Sequence, residues 1–395
     1  MRALAARSAA GAAARPLAGP AAMLAFATAV VVTTEFGVVG LLPAMARDLG
    51  VSVVEAGRFV SWFALASALL GPPLTIVAGR SAPHRVLTAG LCAFAIGNLA
   101  VTLAPSYPMV LTARIVQGAI LPALVSVGSA AMAELAGPGR EGRAVALVYL
   151  GVVVALVVAV PGGVVIAEHG GWPASFVCLA LLAALAAALC AAGFPRLGTP
   201  ASASMAAQAR IVRRPMLQVH LLLSALLFAA MFAAYSYLAA FLEAVAGFDG
   251  GWIAAALMGF GIAGVAGNWI AGQVVDHGPS VATAGVAFVL MLTMAAVSLV
   301  GDRFQLLLPL LAVWGAAHTA AFLLCQVRVM LGAPTAPAFA SSLNIAACNL
   351  GIAAGAEAGG WVADRHGIGA VGYGGAALAG LALAVALAIV RLRER

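Results

Sequence analysis

The sequence predicts an all-α membrane protein, with twelve transmembrane helices in two pseudo-symmetric six-helix bundles. Three observations carry this prediction. Of 395 residues, 64% are hydrophobic and only 8% are charged, against about 25% charged in a soluble domain. Apolar stretches recur from end to end, each near the ~20 residues that cross a hydrocarbon core as a helix. Open strands are excluded because lipid offers their backbone groups no partners. One connection, "PRLGTPASASMAAQARIVRRP" at 195–215, is longer, more polar and more basic than the others, with six apolar stretches on either side.

The spans follow from cutting the chain where charge, Pro or Gly interrupts the apolar runs. Residues 1–20 carry Arg2, Arg7 and Arg15 and resemble a secretory leader. The apolar run behind them is too long for one, which predicts a cytoplasmic segment before a retained first helix. That helix, 21–43, holds one charge, Glu35. The rest of the first bundle (21–194) is expected at 56–78, 86–104, 108–133, 144–167 and 173–194. After the 195–215 linker, the second bundle (216–390) is expected at 216–242, 251–275, 280–300, 304–330, 338–362 and 369–390, with a cytoplasmic tail at 391–395.

Arginine placement orients these spans. With the N-terminus inside, the inner side holds Arg2, Arg7, Arg15, Arg80, Arg85, Arg140, Arg143, Arg196, Arg210, Arg213, Arg214, Arg328, Arg391, Arg393 and Arg395. The outer side holds Arg47, Arg58, Arg303 and Arg365. The positive-inside rule places both termini in the cytoplasm, in a multi-pass protein of the cytoplasmic (inner) membrane. The formal charge of +7 is no sign of nucleic acid, because these arginines lie in loops. Cys92, Cys178, Cys190, Cys325 and Cys348 fall inside predicted spans with no C-x-x-C pair, so neither a disulfide framework nor a metal site is indicated. The chain has no lysine and no Gly-rich nucleotide loop, which points to an ion gradient rather than ATP. No cofactor is expected.

Several motifs fall in order on these spans. They are "TEFGVVGLLP" in the first, "RIVQG" (Arg114, Gln117, Gly118) in the fourth and "GVVVALVVAVPGG" (Gly151, Pro161, Gly162, Gly163) in the fifth. "GNWIAGQVVD" (Gly272, Asp276) lies in the eighth and "NIAACNLGIAAGAEAGG" in the eleventh. From residue 21 to 390 the chain resembles the major facilitator superfamily, in particular bacterial twelve-helix drug:proton antiporters of the arabinose-efflux-like and purine- or chloramphenicol-efflux-like branch. The resemblance implies the major facilitator fold and an antiport mechanism. Two positions depart from the pattern. No acid occurs between Gly71 and Arg85, where the superfamily usually has Asp, although this branch often lacks it. Glu357 stands where such relatives usually have a small residue.

The residues have physical meaning of their own. Small residues let membrane helices approach closely, and proline bends a helix. Gly71, Gly118, Gly151, Pro161, Gly162, Gly163 and Gly272 are therefore candidates for packing and gating. A carboxylate at Glu35 is costly in lipid unless it is paired or faces a wet cavity, and Arg114 falls at a similar depth. Because proton affinity depends on burial and neighbouring charge, Glu35 with Arg114 is the leading candidate for proton coupling, ahead of Glu357 and Asp276. Gln117, one turn from Arg114, is a candidate to contact substrate or to fix the arginine. Tyr235, Tyr237, Phe232 and Trp314 are candidate aromatic walls. His318, Gln326, Asn344 and Asn349 are embedded polar candidates, more readily explained as interhelical hydrogen bonds.

The function expected is proton-coupled efflux of a small apolar or aromatic molecule by alternating access, in a monomer whose other partners are protons and the bilayer. The alternatives are uptake or facilitated diffusion, and a polytopic membrane enzyme. Against an enzyme, the six histidines are scattered and the chain has no H-E-x-x-H or G-x-S-x-G.

Overall fold

A computed structural model describes residues 17–137, 140–198, 213–275, 278–333 and 337–393, and all the regular structure in them is helical. Most of the 195–215 linker, the first sixteen residues and Asp276 lie outside the described residues. The chain begins with α1 (Ala18–Leu49), α2 (Val53–Ala78), α3 (Pro83–Leu103), α4 (Tyr107–Ala136) and α5 (Glu141–Val154). A widened turn, Ala155–Ala159, leads into α6 (Val160–Gly193). Then follow α7 (Pro215–Tyr235), α8 (Leu238–Ala244), α9 (Gly250–Val274), α10 (Pro279–Val300), α11 (Phe304–Gly332), α12 (Pro337–His366) and α13 (Val371–Arg393).

The first helix runs past its expected end at Pro43 to Leu49. Lipid offers the freed backbone nothing better than helix, so the proline is absorbed. The real stop is Gly50, whose φ of 66° lets its N–H cap the carbonyls of Ala46 and Arg47. Two residues later a capping box starts α2: the Ser52 side chain accepts from the Glu55 N–H, and the Glu55 carboxylate accepts from the Ser52 N–H. The expected span at 216–242 is likewise two pieces, α7 and α8, broken at Ser236 and Tyr237.

Among the described residues, eleven segments are long and apolar enough to cross a membrane. One of them, Leu150–Gly193, has 44 residues, which as one helix would reach ~66 Å, about twice a hydrocarbon core. It is not straight. Gly171 leaves helical geometry at φ 73° and ψ 162°. The Ser175 hydroxyl then donates to the Gly163 carbonyl at 2.6 Å, where a straight helix would hold those residues ~18 Å apart. The two arms of α6 therefore fold back beside each other, at the gap the sequence places between 167 and 173.

Small residues set how closely the helices pack. A side chain at Gly118 would overlap the Phe63 carbonyl, so α2 and α4 meet backbone to backbone. Gly71 faces the ring of Pro122, and Gly151 faces the Ala25 carbonyl, bringing α5 onto α1. At Gly162, Gly163 and Gly272 an added Cβ meets nothing within 4 Å, so the close packing expected there is absent. The reason lies one turn earlier. Pro161 has no N–H for the preceding turn and its ring crowds it, and residues 155–159 widen to i→i+5 bonding. The approach to α9 is made by this widened turn, where a Cβ on Gly261 would come within 2.8 Å of the Leu156 carbonyl oxygen.

Candidate functional site

Midway along α1, Thr33 and Thr34 turn their hydroxyls back onto the carbonyls of Ala29 and Val30. Arg114 of α4, 1% exposed, reaches across to this turn. Its Nη1 donates to the Thr34 carbonyl at 2.5 Å, its Nη2 to the Glu35 carbonyl at 2.8 Å, and its Nε to the Phe59 carbonyl of α2 at 3.0 Å. The Phe63 ring lies 4.1 Å beneath the guanidinium. Arg114 thus bonds the backbone at Glu35, while the only ion pair among the described residues joins Arg47 to Glu243. The Glu35 side chain stays half-buried, beside the cation but not fixed by it.

Among the described residues, Gln117 makes no hydrogen bond to this arginine. It is 1% exposed and donates to Asn98 of α3 at 2.9 Å, and Asn98 in turn donates to Thr34 at 3.4 Å. These residues tie α3 and α4 to the turn that carries Glu35.

Next to Glu35, Phe36 faces the second half of the chain. Its ring lies 5.8 Å from Phe232. Together with Leu156 and Val160 it closes one side of a narrow space. The other side comes from α7, α9 and α11: Phe232 and Tyr235, Leu257 and Phe260, and His318 and Phe322. Helical spacing explains the convergence. Phe228, Phe232 and Tyr235 form an i, i+4, i+7 stripe on α7, and Trp314, His318 and Phe322 an i, i+4, i+8 stripe on α11. Phe232, Tyr235, Trp314 and His318 are candidates from the sequence, whereas Phe36, Phe260 and Phe322 are not. Trp314 stands behind the wall, its ring centroid 5.5 Å from that of Phe260 in an edge-to-face arrangement.

The other carboxylate, Glu357 of α12, is exposed and accepts a hydrogen bond from Ser61 of α2 at 2.5 Å. This contact joins the two halves of the chain, and it lies toward the face that carries the Gly50 turn. Two more cross-half contacts lie toward the same face: the Arg47–Glu243 ion pair at 2.5 Å, and the Gly251 N–H donating to Glu168 at 2.8 Å. Tyr237 belongs here rather than to an aromatic wall. Its hydroxyl donates to the Ala356 carbonyl at 3.0 Å, and its ring lies against Gly57 of α2.

The remaining polar candidates pair within the second half. Gln326 donates to Ser341 and accepts from Asn344 at 2.9 Å, while Asn349 donates to the Ile345 carbonyl of its own helix. Arg328, assigned to the inner loops from sequence, is instead fully buried within α11. It bonds His220 at 3.1 Å and Ser224 at 3.0 Å. The apolar residues around it hid it from a count based on proximity to span ends.

Comparison with known proteins places these features in a family. The Major Facilitator Superfamily model matches residues 24–356. The chain is 31% identical over 353 residues to the inner membrane transport protein YdhP of Escherichia coli K12, covering 89% of this chain and 90% of that one. It is 33% identical over 341 residues to a chloramphenicol resistance protein of Streptomyces lividans, covering 85% and 87%. A chloramphenicol efflux pump of Mycobacterium tuberculosis is 29% identical, covering 87% and 85%. Among solved structures, a bacterial homologue of the human lysosomal transporter Spinster, in an inward-facing and occupied conformation, shares the fold with a TM-score of 0.78 at 14% identity, over 95% of this chain and 97% of that one. The nucleoside transporter NupG does so with a TM-score of 0.75 at 14% identity, over 95% and 99%.

Proposed function

Because the chain belongs to the Major Facilitator Superfamily, we propose that it exports a small apolar or aromatic molecule across the cytoplasmic membrane in exchange for protons, by alternating access. The observation that carries this reading is the aromatic space between the two halves of the chain, one residue from a carboxylate that no ion pair among the described residues holds. A cavity built from both halves changes its access when the halves rock against each other. Glu35 is the proton carrier in this account, and Arg114 supplies a fixed positive field beside it. The relatives named for chloramphenicol efflux or resistance support an aromatic cargo and the outward direction.

We read the eleven apolar segments as twelve crossings, because α6 doubles back at Gly171. The crossings form bundles at 21–194 and 216–390, joined by the 195–215 linker. The arginine asymmetry survives the loss of Arg328 from the count, so the termini lie inside and the Gly50 face outside. In that orientation the three contacts at the Gly50 face close the outer side.

The test is drug accumulation in cells stripped of their own exporters. Expression should lower the steady-state level of chloramphenicol or another uncharged aromatic compound severalfold, and an uncoupler should restore it. Export that persists unchanged with the uncoupler would contradict proton coupling.

A further inference from the structure

We propose that His318 and the rings around it select an uncharged, planar aromatic substrate that carries one hydrogen-bonding group; this rests on the reading of the space between the halves as the transport site. Four rings surround the imidazole: Tyr235 at 4.9 Å, Phe260 at 5.4 Å, Phe232 at 5.5 Å and Phe322 at 5.7 Å between centroids. Phe36 closes the wall from the first half of the chain. Ring faces and edges at this spacing favour another flat ring.

Two further observations set the substrate's chemistry. His318 is 5% exposed, and its Nδ1 has no hydrogen-bond partner among the described residues. A buried ring nitrogen without a partner is costly, and a ligand hydroxyl or carbonyl supplies the missing bond. By choice of tautomer the imidazole meets either group. Second, the residues lining the space include no Asp, Glu or Arg. A cation entering it would lose its water and meet no opposite charge on the lining itself. Ring faces attract cations, but less than that dehydration costs.

Three probes of one shape separate these terms: 2-naphthol, 2-methylnaphthalene and N-methylquinolinium. Binding to the full chain in lipid nanodiscs at neutral pH, with empty discs as the blank, should favour 2-naphthol over 2-methylnaphthalene by about tenfold. N-methylquinolinium should bind weakest. His318→Phe keeps a ring and removes the nitrogen. It should bring the tenfold preference to about one, a change in the ratio of two affinities that a general loss of structure would not produce. The proposal is overturned if the wild-type protein shows no preference for 2-naphthol, if His318→Phe retains it, or if N-methylquinolinium binds as tightly as 2-naphthol. No proton gradient enters these measurements, and Glu35→Gln should bind 2-naphthol as the wild type does. A failure of proton coupling would therefore leave this result standing, and the reverse also holds.

Discussion

Glu35 and Glu357 are both carboxylates in apolar helices, yet their surroundings differ. Glu35 lies 14 residues before the end of α1, ~21 Å along the helix, beside a buried arginine that is bonded to backbone oxygens instead. Glu357 lies nine residues before the end of α12, ~13 Å along, and is hydrogen-bonded across to the other half of the chain. The first acid is left free to gain or lose a proton without breaking the bonds that hold α1, α2 and α4 together. The second belongs to a contact that joins the two halves toward the Gly50 face. One position suits titration and the other suits closure.

The sharpest way to break this contrast is to remove the cation. Arg114→Ala leaves the carbonyls of Thr34, Glu35 and Phe59 without that donor and should cost roughly 2–4 kcal/mol. We expect a lower melting temperature of the purified protein and loss of transport. Unchanged stability would mean the carbonyl cradle does not hold these helices. Arg114→Lys keeps the charge but not the fork, and should recover part of the stability.

Bulk in the fifth crossing tests where that helix packs closely. Gly151→Leu should abolish transport, because α5 lies on the Ala25 backbone. Gly162→Leu should be far milder, since that position opens onto free space. Equal loss of activity in the two variants would place a close contact at Gly162 in another state of the cycle.

The smallest effect is expected at the closure. Glu357→Gln weakens a single hydrogen bond, worth about 1 kcal/mol, and should leave export measurable. In a protein with its own cysteines replaced, Phe36→Cys should react with an impermeant thiol reagent severalfold faster from outside once Glu357→Gln is present. An unchanged rate would show that Ser61 and Glu357 do not hold the outer side closed.

Much of this organisation is legible in the residues. The apolar lengths gave the spans, and the break at Gly171 falls where two spans were separated. Glu35 and Arg114 were paired by depth alone, and they do meet, although α1 runs six residues past Pro43. What depth cannot say is which atoms meet. The guanidinium chose the backbone of Glu35 over its carboxylate, because three carbonyls converge where α1, α2 and α4 pack. The aromatic space was half legible, since Phe322 shares a face of α11 with His318 at i+4. Phe36 and Phe260 depend on how distant helices dock, which no local spacing encodes. The glycines after Pro161 were misread because a widened turn moves the close contact to Gly151 and Gly261.

The central claim, that Glu35 carries the coupling proton, is tested most directly by Glu35→Gln in proteoliposomes. The substitution keeps size and hydrogen bonding but removes titration. The account predicts that this variant builds no substrate gradient under an imposed pH gradient, while downhill exchange of substrate for substrate continues near the wild-type rate. A variant that still accumulates substrate against its gradient would contradict it.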